Sequence, residues 1–258
     1  MTAWFDDDPS GGIRDFTGAD GANAITHDGH DGIDIALSRG FAEMDEGVAV
    51  LSIGEGVVKE AGDGRPDRNE VNDPAAIANY VIVTATNGFD IAYWHLRKDS
   101  VVVHAGERVA AGTKLGEIGS SGDSGGPHLH VSAYDCADHP VDLMTTHAFV
   151  DAPPYHPEPA LAYADYALFD HGPNVAAATL HQRIFANLTF TNIQANATIY
   201  LVTTSPSGSS ATGTASSGPH FLPGFYWLPQ FTVDEPGTWT FTVRIGDRVV
   251  DRRAFAVK

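Results

Sequence analysis

Glycine and proline interrupt this sequence along its whole length, and they limit the possible folds more than any other feature. The 258 residues include 27 glycines and 15 prolines, which favour turns and interrupt helices. Short β-branched runs lie between them, at 48–53, 80–84, 101–103 and 129–134. No window carries a long apolar stripe at helical spacing, and the best helix candidate is a short one over 73–79. This pattern predicts a mainly β protein.

A proline-rich stretch divides the sequence into two parts. Four prolines lie between Asp151 and Pro159, and proline favours extended backbone. We therefore expect a stiff linker over 151–164, between a first domain at 1–150 and a second domain at 165–258.

The second part has the pattern of an antiparallel β domain. Residues 238–245 alternate strictly, which places Trp239 and Phe241 on one face with Val243 and Ile245. The dipeptide Gly246-Asp247 predicts a two-residue turn into a last strand. The polar stretch 205–219 is typical of a loop. The length suits an immunoglobulin-like β-sandwich, although there is no cysteine pair of the kind found in immunoglobulin domains.

The charge balance excludes several classes of function. There are 33 acidic against 15 Lys and Arg residues, a net charge of −18, and binding to nucleic acid or anionic lipid needs a basic surface. We expect no nucleic-acid partner. No apolar run is long enough to span a membrane, and the single cysteine, Cys136, excludes an intrachain disulfide. The start, MTAWFDDDPSGG, lacks signal-peptide features, so we expect either a cytosolic protein or a chain whose export signal is absent.

Histidines cluster at three places in the first part. The clusters are His27-Asp-Gly-His30-Asp-Gly-Ile-Asp34, Ile91-Ala-Tyr-Trp-His95-Leu96 and Gly126-Pro-His128-Leu-His130. Two histidines at i and i+2 on a strand point to one face, where they can share a cation. Catalytic zinc typically has three protein ligands and one open position, and His30 with Asp34 can complete such a set.

Taken together, these segments resemble the lysostaphin/LytM-type zinc metalloendopeptidases, which cut peptide stems or cross-bridges of bacterial peptidoglycan. The family pattern is H-x-G-x-D, then a histidine and a leucine after an aromatic strand, then G-P-H-L-H. The resemblance covers about residues 27 to 135. It implies an antiparallel LytM-like peptidase domain at 1–150, a peptidoglycan peptide as substrate, and a secreted or periplasmic location. We expect a monomer.

The resemblance also implies a role for each motif residue. The Zn²⁺ ligands would be His30, Asp34 and His130, and the catalytic pair would be His95 and His128. One imidazole would take a proton from the attacking water, and the other would stabilise the oxyanion or hold the water in line. We assign the base to His128.

The first histidine cluster can be aligned to the motif in two ways. His27-Asp-Gly-His30-Asp31 also matches H-x-G-x-D, but the family places an apolar residue directly after its aspartate. Ile35 follows Asp34, whereas glycine follows Asp31. We therefore choose His30 and Asp34 as ligands and interpret His27 as a neighbour in the loop.

Three other interpretations remain open on the sequence alone. The chain can be a non-catalytic LytM-like activator or binding module, or the same chemistry can act on glycine-rich extracellular proteins. A lipoyl- or biotinyl-type carrier is a weaker alternative, because Lys59 and Lys114 lie in strand-like contexts rather than at a hairpin tip. The long insertion 62–73 is a candidate substrate-groove loop; an oxygen-rich calcium site is a weaker alternative, because the EF-hand spacing is absent. Arg97-Lys98 is a candidate cationic rim.

Overall fold

The computed structural model describes residues 3–21, 24–145, 159–167, 177–219 and 222–258. The chain divides into two compact units, Met1–Pro154 and Tyr155–Lys258, and each is described by itself. Residues 151–158 of the expected linker lie outside the described residues. Residues 160–164, which the sequence placed in the linker, belong to a strand of the second unit.

The described residues of the first unit form antiparallel strands and one short helix. Its elements are β1 (Gly32–Ala36), α1 (Phe41–Glu46), β2 (Ala49–Leu51), β3 (Gly56–Gly62), β4 (Asn79–Ala85), β5 (Asp90–Leu96), β6 (Arg108–Val109), β7 (Lys114–Glu117) and β8 (His128–Tyr134). Six strands form one sheet in the order β1-β8-β5-β4-β3-β6, and β2 pairs with β7. All of these pairings are antiparallel, so the predicted fold class is confirmed.

One face of the six-stranded sheet is the core and the other carries the histidines. On β8, Leu129 and Val131 are buried, while His128 and His130 alternate with them on the opposite face. Strand β1 pairs with β8 so that Asp34 lies directly opposite His130. On the other side of β8, Trp94 of β5 also lies opposite His130.

A β-bulge interrupts the pairing of β4 with β5. Val81 lies opposite Tyr93 and Asn79 lies opposite Leu96, so two residues of β5 face one residue of β4. His95 is one of the two, and its φ of 61° lies in the left-handed region. Bulges next to active sites often redirect a side chain. Strict alternation would put His95 on the face of Tyr93, and the bulge instead turns it towards the histidines of β8.

Two predicted elements of the first unit are wrong. There is no helix over 73–79, because the Asp73 carboxylate and carbonyl accept the N–H groups of Ala75 and Ala76 in a turn and β4 begins at Asn79. Residues 101–103 are not a strand. The helix that the structure describes in this unit is α1, which has six residues. No helix among the described residues is long or apolar enough to cross a membrane.

The second unit is a sandwich of two sheets. Its strands are β9 (Ala160–Ala167), β10 (Ala177–Ala178), β11 (Arg183–Ile193), β12 (Thr198–Thr204), β13 (Ser210–Ser216), β14 (Leu222–Trp227), β15 (Gln230–Thr232), β16 (Gly237–Ile245) and β17 (Arg248–Val257). One sheet has the order β10-β17-β16-β12-β13, and in the other β11 pairs with β9, β14 and β15. Among the described strands of this unit, only β10 and β17 pair in parallel.

Apolar residues from both sheets form one core in this unit. Phe190 of β11 and Phe241 of β16 are fully buried members of the same cluster. Trp239, Val243 and Ile245 are buried beside Phe241, as the alternation predicts, and Gly246-Asp247 joins β16 to β17. The architecture is the immunoglobulin-like sandwich expected from the sequence.

The loop expected at 205–219 is largely wrong. Residues 210–216 form β13, which pairs with β12 over seven positions from Thr198↔Ser216 to Thr204↔Ser210. The stretch is rich in serine and glycine, which are typical of loops, and glycine is depleted in strands. Composition therefore pointed to a loop, and the pairing with β12 overrides that preference.

Candidate metal and catalytic site

All five predicted site residues lie in one pocket. The pocket has a volume of about 430 Å³, and its lining includes His30, Asp34, His95, His128 and His130. His30 lies just before Asp31 and the start of β1, and Asp34 lies on β1. His95 is on β5, and His128 and His130 are on β8. Residues distant in the sequence therefore meet because β1 and β5 flank β8.

Three potential ligand atoms converge at the bottom of this pocket. Asp34 Oδ1 lies 2.9 Å from His130 Nδ1 and 3.2 Å from His30 Nε2, and the two nitrogens are 3.2 Å apart. Zinc with tetrahedral bonds of ~2.0–2.1 Å separates its ligand atoms by roughly 3.3 Å. Two imidazoles and one carboxylate at these distances fit a zinc ion.

Backbone carbonyls fix the protonated nitrogen on three of the imidazoles. The Nδ1 atoms of His30, His95 and His128 lie against the carbonyl oxygens of Trp4, Ser121 and Gly126, at 2.7 Å for His95 and 2.8 Å for His128. A carbonyl can only accept, so Nδ1 carries the proton in the neutral form of each ring, and the lone pair of that form is on Nε2. His130 is reversed: its Nε2 faces Asp31 Oδ1 at 3.2 Å and its Nδ1 faces Asp34.

The two proposed catalytic imidazoles stand side by side next to the ligand atoms. The rings of His95 and His128 have centroids 4.5 Å apart, and His128 Nε2 lies 3.7 Å from Asp34 Oδ1. The centroid of His95 is 6.1 Å from that of His130. The two imidazoles therefore lie next to the three convergent ligand atoms of His30, Asp34 and His130.

The carboxylates of the site remain ionised. Burial raises the pKa of Asp34, but the neighbouring imidazoles of His130 and His30 lower it more, so that its pKa is well below the usual range. Burial also opposes ionisation of Asp31, and hydrogen bonds from His130 and Tyr134 bring its pKa down to about 2. Both carboxylates keep their charge and can balance a cation at neutral pH.

The two imidazoles that titrate abnormally move in opposite directions. Burial and the neighbouring charge of His128 lower the pKa of His95 to about 4, so His95 is neutral at pH 7. Burial lowers the pKa of His130 too, but Asp31 and Asp34 more than compensate and raise it to about 9. Protons and a metal therefore compete for His130 Nδ1.

His27 gives a second possible set of ligands. His27, His30 and Asp34 offer atoms that all lie within 4.8 Å of one another, and the rings of His27 and His30 have centroids 4.4 Å apart. The side chain of His27 is exposed, whereas His30 is buried. The ligand atoms of His30, Asp34 and His130 lie 2.9–3.2 Å apart, and His130 is less exposed than His27, so we retain that set as the candidate.

Sequence reasoning missed the groups that orient the imidazoles. Trp4 and Ser121 act through backbone oxygens, which no residue type reveals, and Asp31 was considered only as an alternative ligand. The expected cationic rim is wrong for the pocket: Arg97 binds Glu117 at 3.2 Å, and neither it nor Lys98 lines the pocket.

The insertion 62–73 is fixed beside the pocket. Asn69 Nδ2 donates to the carbonyl of Gly122 at 2.6 Å, and Asp67 Oδ1 accepts the N–H of Ser120 at 2.7 Å. Asn72 lines the catalytic pocket. The insertion also supports Ser121, the residue whose carbonyl holds His95.

The sequence matches one protein family over most of the first unit. Residues 28–143 match Peptidase family M23. An uncharacterized metalloprotease of Buchnera aphidicola subsp. Baizongia pistaciae is 31% identical over 105 residues, which are 41% of this chain and 23% of that protein. The peptidoglycan DD-endopeptidase ShyC of Vibrio cholerae is 33% identical over 84 residues, 33% of this chain and 17% of that protein. The chain thus spans about a fifth of the length of these relatives.

Solved structures also match. The catalytic domain of lysostaphin from Staphylococcus simulans is 25% identical and covers 45% of this chain and 77% of that chain, with a TM-score of 0.34. An immunoglobulin-like protein from Pseudomonas aeruginosa is 16% identical over 39% of this chain and 97% of that chain, with a TM-score of 0.30. The assignment rests on the family match: residues 28–143 are a Peptidase family M23 domain, of the lysostaphin/LytM type.

Proposed function

We propose that this protein is a zinc-dependent metalloendopeptidase that hydrolyses peptide bonds in the stems or cross-bridges of bacterial peptidoglycan. The observation that carries the proposal is the convergence of His30, Asp34 and His130 at 2.9–3.2 Å, beside the pair His95 and His128. Membership of Peptidase family M23 and the similarity to a peptidoglycan DD-endopeptidase support the substrate class. This substrate implies a secreted or periplasmic protein.

The proposed ligands are His30 Nε2, Asp34 Oδ1 and His130 Nδ1. When bound, zinc makes a neighbouring water more acidic and polarises the scissile carbonyl. The carboxylate of Asp34 offsets part of the ion's charge, and the carbonyl of Trp4 keeps His30 Nε2 unprotonated. Outer partners of this kind commonly orient metal-binding histidines.

The imidazole pair moves the proton. His128 Nε2 accepts a proton from the attacking water as its oxygen bonds to the carbonyl carbon, and it returns that proton to the leaving amine when the C–N bond breaks. His95 Nε2 accepts the second O–H of the same water and holds it in line. His95 suits this role because its lowered pKa keeps the lone pair free at neutral pH.

Digestion of purified peptidoglycan tests the proposal. We expect the zinc-loaded full chain to reduce the turbidity of peptidoglycan suspensions and to release fragments whose masses identify the cleaved amide. His128→Ala should abolish this activity while it still binds zinc, because His128 is not a proposed ligand.

Three results would contradict the proposal in different ways. Equal activity of His128→Ala and wild type would reject the proton-transfer role. A wild-type protein that binds less than one zinc per chain would favour a non-catalytic binding module. Cleavage of a glycine-rich protein, with no cleavage of peptidoglycans that carry different bridges, would reject the substrate class.

A further inference from the structure

We propose that Asp31 is a positioning residue that orients His130 for metal binding, and that Tyr134 holds the Asp31 carboxylate in place. The inference rests on the proposed function, because it takes His130 as a zinc ligand. It extends that function to two residues which neither the sequence motif nor the proposed ligand set includes.

Of the four pocket imidazoles described above, only His130 has a carboxylate against its outer nitrogen. The outer nitrogens of His30, His95 and His128 face backbone carbonyls, which the local fold holds in place. The orientation of His130 instead depends on a carboxylate that a substitution can remove. Asp31 Oδ1 lies 3.2 Å from His130 Nε2, so the N–H that points away from the metal donates to Asp31.

The position of Asp31 is itself fixed from β8. The hydroxyl of Tyr134 donates to Asp31 Oδ2 at 2.7 Å. Tyr134 and His130 are four residues apart on one strand, so their side chains share a face. One carboxylate therefore bridges two side chains of β8 through its two oxygens, and its orientation cannot change without breaking one of these bonds.

The backbone beside Asp31 passes directly against the His130 ring. A Cβ added at Gly32 would lie 2.7 Å from His130 Nε2 and 2.4 Å from the carbonyl oxygen of Val131. Glycine at this position allows the close approach that brings Asp31 to the outer nitrogen. A protonated Nε2 leaves Nδ1 with its lone pair directed at Asp34, and a carboxylate partner makes that nitrogen a stronger donor to a metal.

Zinc affinity of the full-length protein, measured by competition with a chromophoric chelator, tests the role of Asp31. We expect Asp31→Ala to weaken zinc binding by about 10–100-fold, the usual cost of losing such a partner. Asp31→Asn should weaken it less, because the amide oxygen can still accept the N–H of His130. Tyr134→Phe should have a smaller effect than Asp31→Ala, since the carboxylate remains.

The matched control is Asp28→Ala, which removes an exposed carboxylate from the same turn. It should change zinc affinity by less than about threefold, because the charge of an exposed group is screened by salt. A second readout is the Nε2–H proton of His130 in the NMR spectrum of the zinc-loaded protein. It should exchange slowly with water in wild type and Asp28→Ala, and rapidly in Asp31→Ala.

Equal zinc affinity and equal proton exchange in Asp31→Ala and Asp28→Ala would overturn the inference while leaving the proposed function intact. A separate variant tells the two apart. If His130→Ala bound zinc as tightly as wild type, the proposed ligand set would be wrong, and the role of Asp31 would fall with it.

Discussion

The protonated nitrogen of each imidazole decides what the site can do. Carbonyl oxygens of Trp4, Ser121 and Gly126 accept the outer N–H groups of three rings, and Asp31 accepts the fourth. The rings of His30, His95 and His128 therefore turn Nε2 inward, and His130 turns Nδ1 towards the ionised Asp34, where a metal competes with a proton. A cation is the natural partner of such a set.

The two alternative alignments of the first motif give opposite predictions for single substitutions. We expect His27→Ala to retain one zinc per chain, because its exposed ring is not needed to complete the set of His30, Asp34 and His130. We expect His30→Ala to lose the metal, because it removes a buried ligand. Metal content after dialysis, measured by atomic emission, would contradict our alignment if the two results were reversed.

At the level of residues, the sequence was sufficient to select the five candidate side chains. Motif spacing brought out His30, Asp34 and His130 because ligand chemistry depends on residue type. The orienting groups were not predictable, because Trp4 and Ser121 contribute backbone oxygens, which every residue has. Asp31 was visible only as an alternative ligand, since its contact with His130 arises from strand pairing.

A hydrogen bond between strand β5 and the segment after β7 fixes the backbone at His95. Gly119 lies beside the bulge at His95. Its N–H donates to the carbonyl of His95 at 3.0 Å, and its carbonyl accepts the N–H of His128. Gly119 thus links the ends of β5 and β8. Its lack of a side chain allows this contact.

Gly119→Ala should disturb the catalytic pair. A Cβ at Gly119 would lie 2.5 Å from the backbone N and Cα of Arg97, and no side-chain rotation can relieve a clash with backbone. We expect activity to fall at least tenfold with a lower Tm of the first unit. Gly54→Ala is the matched control, because nothing lies within 4 Å of its added Cβ; similar losses in both variants would contradict this explanation.

The packing between the two sheets of the second unit depends strongly on Phe241. Its ring is fully buried and lies 4.6 Å from Phe231 and Phe255 and 4.8 Å from Tyr166, between centroids. Phe241→Ala should cost ~3–5 kcal/mol of unfolding free energy, from lost burial and the cavity. Thr242→Ala, the next residue on the opposite face, should cost less than about 1 kcal/mol. Calorimetry of the full chain measures both.

An ion pair across three strands gives the first unit a pH-dependent stability. Asp90 of β5 accepts from Lys59 of β3 at 2.5 Å and from Thr84 of β4 at 2.6 Å. Burial raises the pKa of Asp90, but these two bonds lower it more, to below its usual 3.8. Because the folded pKa lies below the unfolded one, the stabilisation is present above about pH 3.8 and disappears as the pH falls through the folded value.

We therefore expect Asp90→Asn to lower the Tm at pH 7 and to match wild type at the lowest pH at which both still fold. In a Lys59→Met background the effect at pH 7 should shrink, because the partner charge is gone. A Tm difference that stayed constant down to pH 3 would show that the carboxylate charge is not responsible. Thermal melts between pH 3 and 7 measure the dependence.

At the scale of the elements, secondary structure was predicted correctly where the sequence pattern was regular. The alternation of 238–245 correctly predicted β16 and its buried face, and Gly246-Asp247 predicted the turn to β17. The helix at 73–79 and the loop at 205–219 were wrong, because Asp73 forms a turn and small polar residues form β13 by pairing with β12. Tertiary pairing overrides weak local preference.

Across the whole molecule, the negative charge is unevenly divided. Residues 1–154 carry 26 of the 33 acidic and 9 of the 15 basic side chains, a net charge of −17, and residues 155–258 carry a net charge of −1. Like charges repel one another in the folded state, and salt screens this repulsion within a Debye length of ~8–10 Å.

Salt should therefore stabilise the two units differently. We expect the Tm of the first unit to rise between low salt and 1 M NaCl, and the Tm of the second to change much less. The transition that Phe241→Ala shifts identifies the second unit in a calorimetric scan. An equal response of both transitions would mean that the uneven charge has no effect on stability.

The sequence by itself determined the mainly β class of this chain, the His and Asp side chains of the candidate site, and the resemblance to lysostaphin/LytM-type peptidases. Residue type and short spacing are enough for these conclusions. Only the tertiary structure decided how the site is assembled. The register of β1 with β8 sets Asp34 opposite His130, the bulge turns His95 into the pocket, and Asp31 reaches His130 across the sheet. These contacts join residues up to 100 positions apart, and the physical reason is that strand pairing and backbone carbonyls, which carry no signature in the amino-acid sequence, set their geometry.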